Sequence, residues 1–294
     1  MTARAWAQLL FLGAIWGASF FFGRIAVAEI PPLTLVLFRV AIAAMALQVY
    51  LAARRISFHP ALRRAGPFLA LAALNNVIPF SLIFLGQTEL GAGLAAVLNA
   101  TTPFWTVLVA NVLTDDERIS WNKLAGIAAG VAGTAVMIGP GIVADLGGPV
   151  WAKFAVIGAT VSYAFAAIYA KRFRAIDPAL TATGQLTAST VIMLPLVLAV
   201  DGTATLFAAS LPVWAAVAAL ALISTALAYI LYFSLIASSG ATNASLVTFV
   251  VPVSAILLGV VFLSERLEAY ELAGMALIGL GLVVIDGRLF ARRQ

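Results

Sequence analysis

The chain has 294 residues, of which 63% are hydrophobic and only 10% charged, with a formal net charge of +5. Because a soluble domain carries about 25% charged residues, the composition excludes an ordinary soluble protein. The sequence contains no cysteine, which excludes disulfides, thiolate nucleophiles and zinc–thiolate sites.

Apolar runs of roughly 18 to 25 residues recur between short polar loops, which is the pattern of membrane-spanning helices. In hydrocarbon only α-helices and closed barrels satisfy every backbone hydrogen bond, and strand-like alternation is absent from these runs. The sequence therefore predicts an all-α polytopic membrane protein with ten transmembrane helices. The predicted spans are Trp6–Ala28, Leu33–Ala53, Pro67–Gln87, Gly91–Leu113, Trp121–Ile138, Trp151–Phe173, Ala179–Val200, Pro212–Ala237, Ala241–Leu263 and Tyr270–Ile285.

The second half of the chain repeats the first at an offset of 148 or 149 residues. Each half holds five apolar segments, so the second copy enters the membrane from the opposite face. That is the inverted-topology repeat of secondary transporters, whose substrate site lies near the midplane between the repeats. We predict two five-helix domains, residues 1–140 and 141–294. The recurring positions are Pro103, Glu117-Arg118, Gly126 and Gly133 in the first half and Pro252, Glu265-Arg266, Gly274 and Gly281 in the second.

The basic residues lie mostly on one side of the predicted helices. By the positive-inside rule this side is the cytoplasm, so both termini are predicted to be cytoplasmic. Basic loops so placed contact anionic lipid headgroups, which argues against a nucleic-acid partner. The thirteen residues on that side are Arg4, Arg54, Arg55, Arg63, Arg64, Arg118, Lys123, Lys171, Arg172, Arg174, Arg288, Arg292 and Arg293, whereas the opposite side holds Arg24, Lys153 and Arg266.

The residue types that intramembrane enzymes need are missing from the middle of the spans. The single histidine, His59, belongs to a basic loop, and no span carries a carboxylate at its centre. Intramembrane proteases need a histidine or a carboxylate pair, so we expect no catalytic residue, no metal site and no cofactor. The same shortage weakens proton coupling, for which the peripheral Glu89 is the best candidate.

Arg39 is the exceptional charge, since it lies about six residues inside the second predicted span. Intramembrane ionisable groups are costly and usually functional. One interpretation makes Arg39 a contact for a substrate carboxylate, or a gate partner of Glu29 or Glu89. The other is an arginine that snorkels to the outer headgroups.

Uncharged polar and aromatic residues occupy matching positions in the two halves. Facing lipid, polar side chains would cost free energy, so they are expected to face protein or a wet cavity. Matched positions favour a central cavity lined by amides, hydroxyls and rings, with interhelical hydrogen bonds as the alternative. The aligned pairs are Asn76 with Thr225, Phe80 with Tyr229, Ile83 with Tyr232 and Asn99 with Thr248.

Pro103 and Pro252 lie within predicted spans at corresponding positions of the two repeats. A proline inside a helix removes a backbone hydrogen bond and kinks the chain. The paired positions predict hinges for alternating access, and static kinks are the alternative. Pro79 and Pro195 have no counterpart, and we interpret them as static kinks.

The fifth and tenth spans are rich in glycine and nearly free of polar side chains. Glycines at helical spacing allow helix backbones to approach closely. These helices are expected outside the cavity, either as packing elements of a monomer or as a dimer surface. The glycines are Gly126, Gly130 and Gly133 in the fifth span and Gly274, Gly279 and Gly281 in the tenth.

The combination of motifs resembles the EamA family of the drug/metabolite transporter superfamily. The segment GAIWGASF at residues 13–20 is similar to the first-helix signature of that family. Arg39 followed by Ala43 is similar to its "RF…A" pattern, although Val40 replaces the phenylalanine. The Glu-Arg pairs before the Gly-rich helices resemble the "ER…G" end of its repeat. The resemblance covers the whole chain.

The resemblance implies ten helices in two EamA repeats, transport of small metabolites, and a central cavity away from helices five and ten. The chain resembles most the YddG-type members, which export aromatic amino acids. The second copy departs from the motif, because Val161-Ser162 replaces Trp16-Gly17 and no arginine matches Arg39. Those features cannot be required symmetrically.

We therefore expect a bacterial inner-membrane carrier that exports amino acids, aromatic ones above all, by alternating access. A broad-specificity drug or metabolite exporter and a non-transporting scaffold or receptor are the alternatives. The expected partners are a small-molecule substrate and membrane lipids, with the protein as a monomer. The expected substrate-binding residues are Trp16, Phe20, Arg39, Asn76, Phe80, Asn99, Tyr163, Gln185, Tyr229 and Thr248.

Overall fold

The computed structural model describes residues 1–90, 92–115, 119–138, 149–202, 209–263 and 268–286, with the backbone alone at 20, 24, 92, 93, 138, 255, 256, 258–263 and 286. Both Glu-Arg pairs of the repeat lie outside these ranges. Throughout the described ranges the regular structure is helical, without strands. The α-helices are α1 (Ala3–Val27), α2 (Pro32–Ala53), α3 (His59–Leu62), α4 (Ala65–Ala72), α5 (Ile78–Glu89), α6 (Ala92–Asn99), α7 (Thr102–Leu113), α8 (Trp121–Ile138), α9 (Val150–Ala170), α10 (Pro178–Val200), α11 (Leu211–Ala221), α12 (Ala228–Ser239), α13 (Ala241–Ser245), α14 (Val247–Leu263) and α15 (Ala269–Asp286).

Within the described ranges, the predicted apolar spans are helical. In the described part of the chain, seven helical segments are long and apolar enough to cross a membrane. Two shorter apolar helices cover Ala241–Ser254 and Ala269–Ile285. The chain is therefore an all-helical polytopic membrane protein. The seven segments are Ala3–Val27, Pro32–Ala53, Ala65–Glu89, Leu94–Leu113, Val150–Phe173, Pro178–Val200 and Leu211–Ser239.

Local sequence signals set several helix ends. The hydroxyl of Thr2 accepts a hydrogen bond from the backbone N–H of Ala5 at the start of α1, and the Asp177 carboxylate caps α10 in the same way. Proline opens both α2 and α10, where its missing N–H has no helical partner to lose. Gly240, at φ 83°, ends α12 in a conformation that favours glycine.

The third and eighth apolar segments each contain a π-helical turn at matching positions. These turns, named π1 (Ala73–Val77) and π2 (Leu222–Leu227), begin 149 residues apart. A π turn widens the helix by one residue and leaves backbone carbonyls available to other donors, and such turns are frequent at functional sites. Pro79 contributes to π1, because it has no N–H to donate to the Asn75 carbonyl four residues before.

The helices of the two halves interleave. α1 packs against α11, α12 and α14 of the second half, whereas α9 packs against α5, α6 and α7 of the first. α2 and α10 pack against each other. A close contact at Gly13 supports this arrangement, since the Ser254 hydroxyl donates to the Gly13 carbonyl at 2.8 Å. In the described parts of the chain, the helices of the two halves therefore pack among one another rather than as two separate bundles.

The Gly-rich helices α8 and α15 pack against each other. A Cβ added at Gly126 would lie 2.6 Å from the Gly281 carbonyl oxygen, and one at Gly274 would lie 2.5 Å from that of Gly133. Only glycine permits such an approach of two backbones. Gly126, Gly133, Gly274 and Gly281 therefore form a contact within one chain, and none of them lines the cavity described next.

Candidate functional site

A cavity lies where the two halves interleave, and the space free of protein atoms there is about 820 Å³ when the open solvent at its mouth is included. Seven of the ten expected binding residues line it. Its wall is mostly aromatic and aliphatic, with a few amides and hydroxyls and one guanidinium. The lining residues are Trp16, Ser19, Arg39, Asn75, Phe80, Ile83, Phe84, Gln87, Asn99, Thr102, Tyr163, Ala167, Tyr229, Tyr232, Ser245, Val247, Thr248 and Val251.

Aromatic rings from α1 and α12 form one continuous wall. The ring centroids of Trp16 and Tyr232 are 5.5 Å apart, and those of Trp16 and Tyr229 are 6.3 Å apart in an edge-to-face arrangement. Phe233 stacks on Tyr229 from behind at 5.8 Å. Such geometries add attraction beyond area burial and hold each ring in place. The wall is an aromatic surface against which an aromatic ligand could pack.

The turn π2 fixes the orientation of Trp16. Its indole Nε1 donates to the Ser224 carbonyl at 3.1 Å, and the Ser224 hydroxyl donates to the Ile15 carbonyl at 3.2 Å. In the other half, the Ser162 hydroxyl of α9 donates to the Leu74 carbonyl of π1 at 2.7 Å. Each π turn therefore binds the first helix of the other half through its carbonyls.

Arg39 of α2 is buried, at 6% exposure, and reaches the same turn π2. Its Nε donates to the Thr225 hydroxyl at 2.7 Å, and Nη2 makes a longer contact of 3.4 Å with the Ser224 carbonyl. The guanidinium carbon lies 3.9 Å from the centroid of the Phe80 ring and 5.9 Å from that of Phe84. This cation–π contact replaces part of the hydration that the charge has lost.

Two interpretations of Arg39 from the sequence disagree with this geometry. The guanidinium contacts π2 and Phe80 inside the protein, so it does not snorkel to the headgroups. A gate with Glu29 is also absent, because the Glu29 carboxylate accepts from Ser210, at 2.7 Å from its N–H and 2.8 Å from its hydroxyl. In the described ranges, Arg39 forms no ion pair with Glu89 or any other acid.

Asn76 and Gln185 do not line the cavity but form a buried network behind its wall. The Gln185 amide donates to Asn76 Oδ1 and accepts at 2.9 Å from Nδ2 of Asn75. Asn76 Nδ2 donates to the Tyr229 hydroxyl at 2.8 Å, which in turn donates to the Asn75 carbonyl at 3.1 Å. Tyr229 thus satisfies the carbonyl that Pro79 leaves available. The network holds π1, Tyr229 and α10 together.

The turn π1 also decides which asparagine faces the cavity. Counting back four residues from Phe80, as in an α-helix, places Asn76 on the cavity face, whereas the wider turn places Asn75 there. The sequence prediction of Asn76 as a lining residue assumed an uninterrupted α-helix. The extra residue per turn is the physical reason for the difference.

Asn99 and Thr248 bring polar groups from α6 and α14 to the cavity. Asn99 is 6% exposed, and its Oδ1 is buried without a hydrogen-bond partner among the described residues. The Thr248 hydroxyl donates to the Ser245 carbonyl at 2.9 Å. A buried, unpartnered carbonyl oxygen is costly to a protein unless a ligand or water supplies a donor. Asn99 Oδ1 is thus available to a cationic or N–H group.

The predicted hinge prolines occupy different settings. Pro103 lies in the first turn of α7, after a break in the fourth segment at Ala100 and Thr101. Pro252 lies inside α14. The Thr102 hydroxyl donates at 2.6 Å to the Asn99 carbonyl, which Pro103 cannot bind. The side chain of Phe20 lies outside the described residues.

Tyr232, Phe84 and Ser245 line the cavity without having been predicted as binding residues. Phe84 follows Phe80 by one helical turn, and this spacing could have identified it. Tyr232 aligns with Ile83 in the repeat, and both line the cavity. The described residues contain no group of three or more histidine, cysteine, aspartate or glutamate side chains that could bind a metal.

Known proteins resemble this chain along nearly its whole length. It is 28% identical over 283 residues to "Uncharacterized inner membrane transporter YedA" of Escherichia coli K12, covering 94% of this chain and 89% of that protein. It is 27% identical to "Probable terminal-alkyne amino-acid exporter" of Streptantibioticus cattleyicolor, and the match covers 100% of this chain and 97% of that protein. A solved crystal structure with 20% identity superposes with a TM-score of 0.80, covering 100% of this chain and 99% of its own, which shows the fold alone.

The family model of EamA-like transporters matches the chain twice, at residues 4–139 and 150–286. These two matches cover nearly all of the helical region. The relatives are also named as transporters or exporters. The chain is a multi-pass membrane transporter rather than an enzyme, and it belongs to the EamA-like transporter family.

Proposed function

We propose that this protein is a carrier of the bacterial inner membrane that exports amino acids with aromatic or similarly apolar side chains. The observation that carries the proposal is the cavity between the halves, where an aromatic wall, a buried amide oxygen and a guanidinium meet. An amino acid presents a complementary set of groups: an apolar side chain, an ammonium and a carboxylate.

The proposed topology is ten transmembrane helices in two inverted five-helix repeats, residues 1–140 and 141–294, with both termini in the cytoplasm. The two matches to the family model and the equivalent turns π1 and π2 support a duplicated unit. Five spans per unit would invert the second copy, and the cavity would then lie at the interface of the two repeats. The inner-membrane location is supported by the name of the Escherichia coli relative.

The aromatic preference rests on the wall formed by Trp16, Tyr229 and Tyr232. A flat substrate ring against such faces would gain about 0.5–1.5 kcal/mol per ring contact beyond area burial. The name of the Streptantibioticus cattleyicolor relative supports an amino-acid substrate. The aromatic specificity, as in the YddG-type members that the sequence resembles, is our proposal for this chain.

Two kinds of residue serve the proposed site. Trp16, Arg39, Phe80, Asn99, Tyr163, Tyr229 and Thr248 would contact the substrate directly. Asn76 and Gln185 would act through the wall by fixing π1 and Tyr229. Pro103 and Pro252 would be the hinges that let the cavity open alternately to each side.

Transport is proposed to run down the substrate gradient without proton coupling. In the described part of the structure the cavity lining contains neither a carboxylate nor a histidine. A proton-coupled carrier generally needs such a titratable group in its path. For a metabolite made inside the cell, the gradient then drives net export.

The test is the flux of radiolabelled phenylalanine, threonine and a cationic dye into proteoliposomes, with and without a pH gradient. Saturable phenylalanine flux that is indifferent to the gradient is the expected result. Flux of the dye alone would support a broad exporter and overturn the amino-acid proposal. A strict need for the gradient would contradict facilitated transport and make Glu89 the first residue to mutate.

The same assay with Asn99→Ala tests the site itself. Loss of Oδ1 removes the acceptor for a substrate ammonium, so flux is expected to fall while membrane insertion stays intact. Ser81→Ala is the matched control, because the Ser81 hydroxyl is also buried without a partner among the described residues but does not line the cavity. Equal flux for Asn99→Ala and wild type would remove Asn99 from the site.

A further inference from the structure

Arg39 is the only charged side chain among the described residues that line the cavity. It enters from α2 and is held in one orientation by contacts on two sides. Thr225 accepts from Nε on one side, and the Phe80 ring lies against the guanidinium at 3.9 Å on the other. The charge is thus a fixed feature of the cavity wall.

The protein uses only part of the hydrogen-bonding capacity of this guanidinium. Arginine carries five N–H donors. Nε bonds to Thr225, and Nη2 makes one long contact with the Ser224 carbonyl. Nη1 donates to no residue in the described ranges. The Nη1–Nη2 edge is the edge that receives a carboxylate in a bidentate pair, with two parallel N–H···O bonds.

No acidic side chain in the described parts of the chain balances the charge of Arg39. Glu29 accepts from Ser210, and Asp201 accepts from the N–H and hydroxyl of Thr34 at 3.1 and 2.7 Å. Asp177 caps α10. A buried cation without a counter-ion is strongly disfavoured inside a membrane protein, so its position against a cavity points to a ligand that supplies the negative charge.

We propose that Arg39 is the carboxylate-binding group of the carrier, and that a carboxylate is what the substrate must have. This inference rests on the proposed function and narrows it: the carrier selects carboxylates and rejects neutral amides and cations of the same shape. Binding would place the carboxylate against the Nη1–Nη2 edge and the side chain along the aromatic wall.

The second half of the chain does not duplicate this group. Gln185 follows Pro178 by seven residues, as Arg39 follows Pro32, but its amide is neutral and satisfied by Asn75 and Asn76. The described residues therefore give the cavity a single anion site, and the carboxylate fixes the orientation of the substrate. The unpartnered Asn99 Oδ1 is the acceptor available for an ammonium group.

The experiment compares 3-phenylpropionate with 3-phenylpropanamide, which share a shape and differ in charge. Binding to the purified full-length protein in detergent is followed by tryptophan fluorescence, since Trp16 lines the cavity. A charge-assisted bidentate pair predicts that the carboxylate binds at least about tenfold more tightly than the amide. Phenylalanine and phenylalaninamide form a second pair with the same expectation.

Arg39→Gln is expected to bring the affinities of carboxylate and amide within about threefold of each other, whereas Arg39→Lys keeps part of the preference through its charge. If Arg39→Gln fails to fold, the carboxylate and amide affinities of the wild type and of Arg39→Lys still test the proposal. Equal binding of the paired probes to the wild type, binding of neither, or a preference that persists in Arg39→Gln would overturn the proposal. Absence of phenylalanine flux alongside a clear carboxylate preference would instead overturn the proposed function and leave this site standing.

Discussion

Arg39 and Gln185 occupy equivalent positions on α2 and α10 and reach equivalent turns of the opposite halves. Each lies seven residues after the proline that opens its helix. Arg39 contacts π2 through Thr225, and Gln185 contacts π1 through Asn76, the residue that aligns with Thr225. The two contacts differ in one respect that matters for function. Gln185 is satisfied within the protein, whereas Arg39 lines the cavity with its charge, and its Nη1 has no acceptor among the described residues.

Replacing Gln185 by leucine is expected to destabilise the protein. The change leaves Nδ2 of the buried Asn75 without its acceptor and removes one of the two donors to Asn76 Oδ1, the other being the Ser189 hydroxyl. An orphaned buried group costs about 1–3 kcal/mol. Thermal unfolding in detergent measures the effect. Gln48→Leu is the control, because Gln48 makes one part-buried bond to Thr187 and should have a smaller effect. Equal losses for both variants would contradict a structural role for the network.

Tyr229→Phe distinguishes the contribution of the Tyr229 hydroxyl from that of its ring. The hydroxyl accepts from Asn76 and donates to the Asn75 carbonyl, so its loss is expected to cost about 1–3 kcal/mol. The ring remains, so the affinity for an aromatic ligand should change little. Tyr232→Phe is the matched control, since the Tyr232 hydroxyl has no partner among the described residues. Stability is read from thermal unfolding and affinity from fluorescence titration, and a larger loss in Tyr232→Phe would refute the assignment.

Apolar run lengths predicted the helical spans because hydrocarbon leaves the backbone no other choice. The residues that line the cavity were harder to predict. Periodicity shows which residues share one face of a helix, but it does not show what that face contacts. Asn76 and Gln185 have the polarity of cavity residues, yet they bond to each other from segments more than 100 residues apart. Only the packing of α10 against π1 shows that.

The π turns account for most of the remaining differences between the predicted and the observed side-chain contacts. Neither π1 nor π2 has a composition that separates it from an α-helix, and the sequence interpretation treated Pro79 as a static kink. Pro79 in fact leaves the Asn75 carbonyl available to Tyr229. The sequence also did not predict the partner of Arg39. The position of Arg39 along α2 can be read from the sequence, but its contact with Thr225 depends on the π-helical geometry of π2.

Gly274→Ala is expected to destabilise the contact between α8 and α15. The added Cβ would lie 2.5 Å from the Gly133 carbonyl oxygen, and overpacking of this kind costs about 1–3 kcal/mol. Gly279→Ala, in the same helix, has nothing within 4 Å of the added Cβ and should be neutral or slightly stabilising. Thermal unfolding of the two variants gives the comparison. Identical unfolding midpoints for the two variants would mean that α15 does not touch α8 at Gly274.

The contact between Glu29 and Ser210 should depend on pH. Hydrogen bonds from the Ser210 N–H, and then from its hydroxyl, lower the pKa of Glu29 below its ordinary value. A lowered pKa in the folded state means that the contact is complete above the ordinary carboxyl range and is lost as the pH falls through the lowered value. The contact between Glu29 and Ser210 should therefore persist from pH 7 to about pH 4.5 and weaken only below that pH.

Spin labels at Ala28→Cys and Leu211→Cys test this dependence, because both positions are exposed and the chain has no other cysteine. The distance distribution is expected to stay narrow above about pH 4.5 and to broaden below it. In Glu29→Gln it should be broad at every pH. If the distance distribution of the labelled protein that retains Glu29 already broadens near pH 6, the carboxylate does not hold this contact.

Replacing Pro103 or Pro252 by alanine tests whether these residues act as hinges. Each proline prevents one backbone hydrogen bond, and alanine would let the helix close that bond and stiffen. If bending limits the transport cycle, maximal flux should fall about tenfold while the substrate concentration at half-maximal flux changes little. Pro195→Ala is the control, because Pro195 lies inside α10 on an exposed face away from the cavity. Full flux in both Pro103→Ala and Pro252→Ala would make the two prolines static kinks, and the bending would then have to be sought at the paired turns π1 and π2.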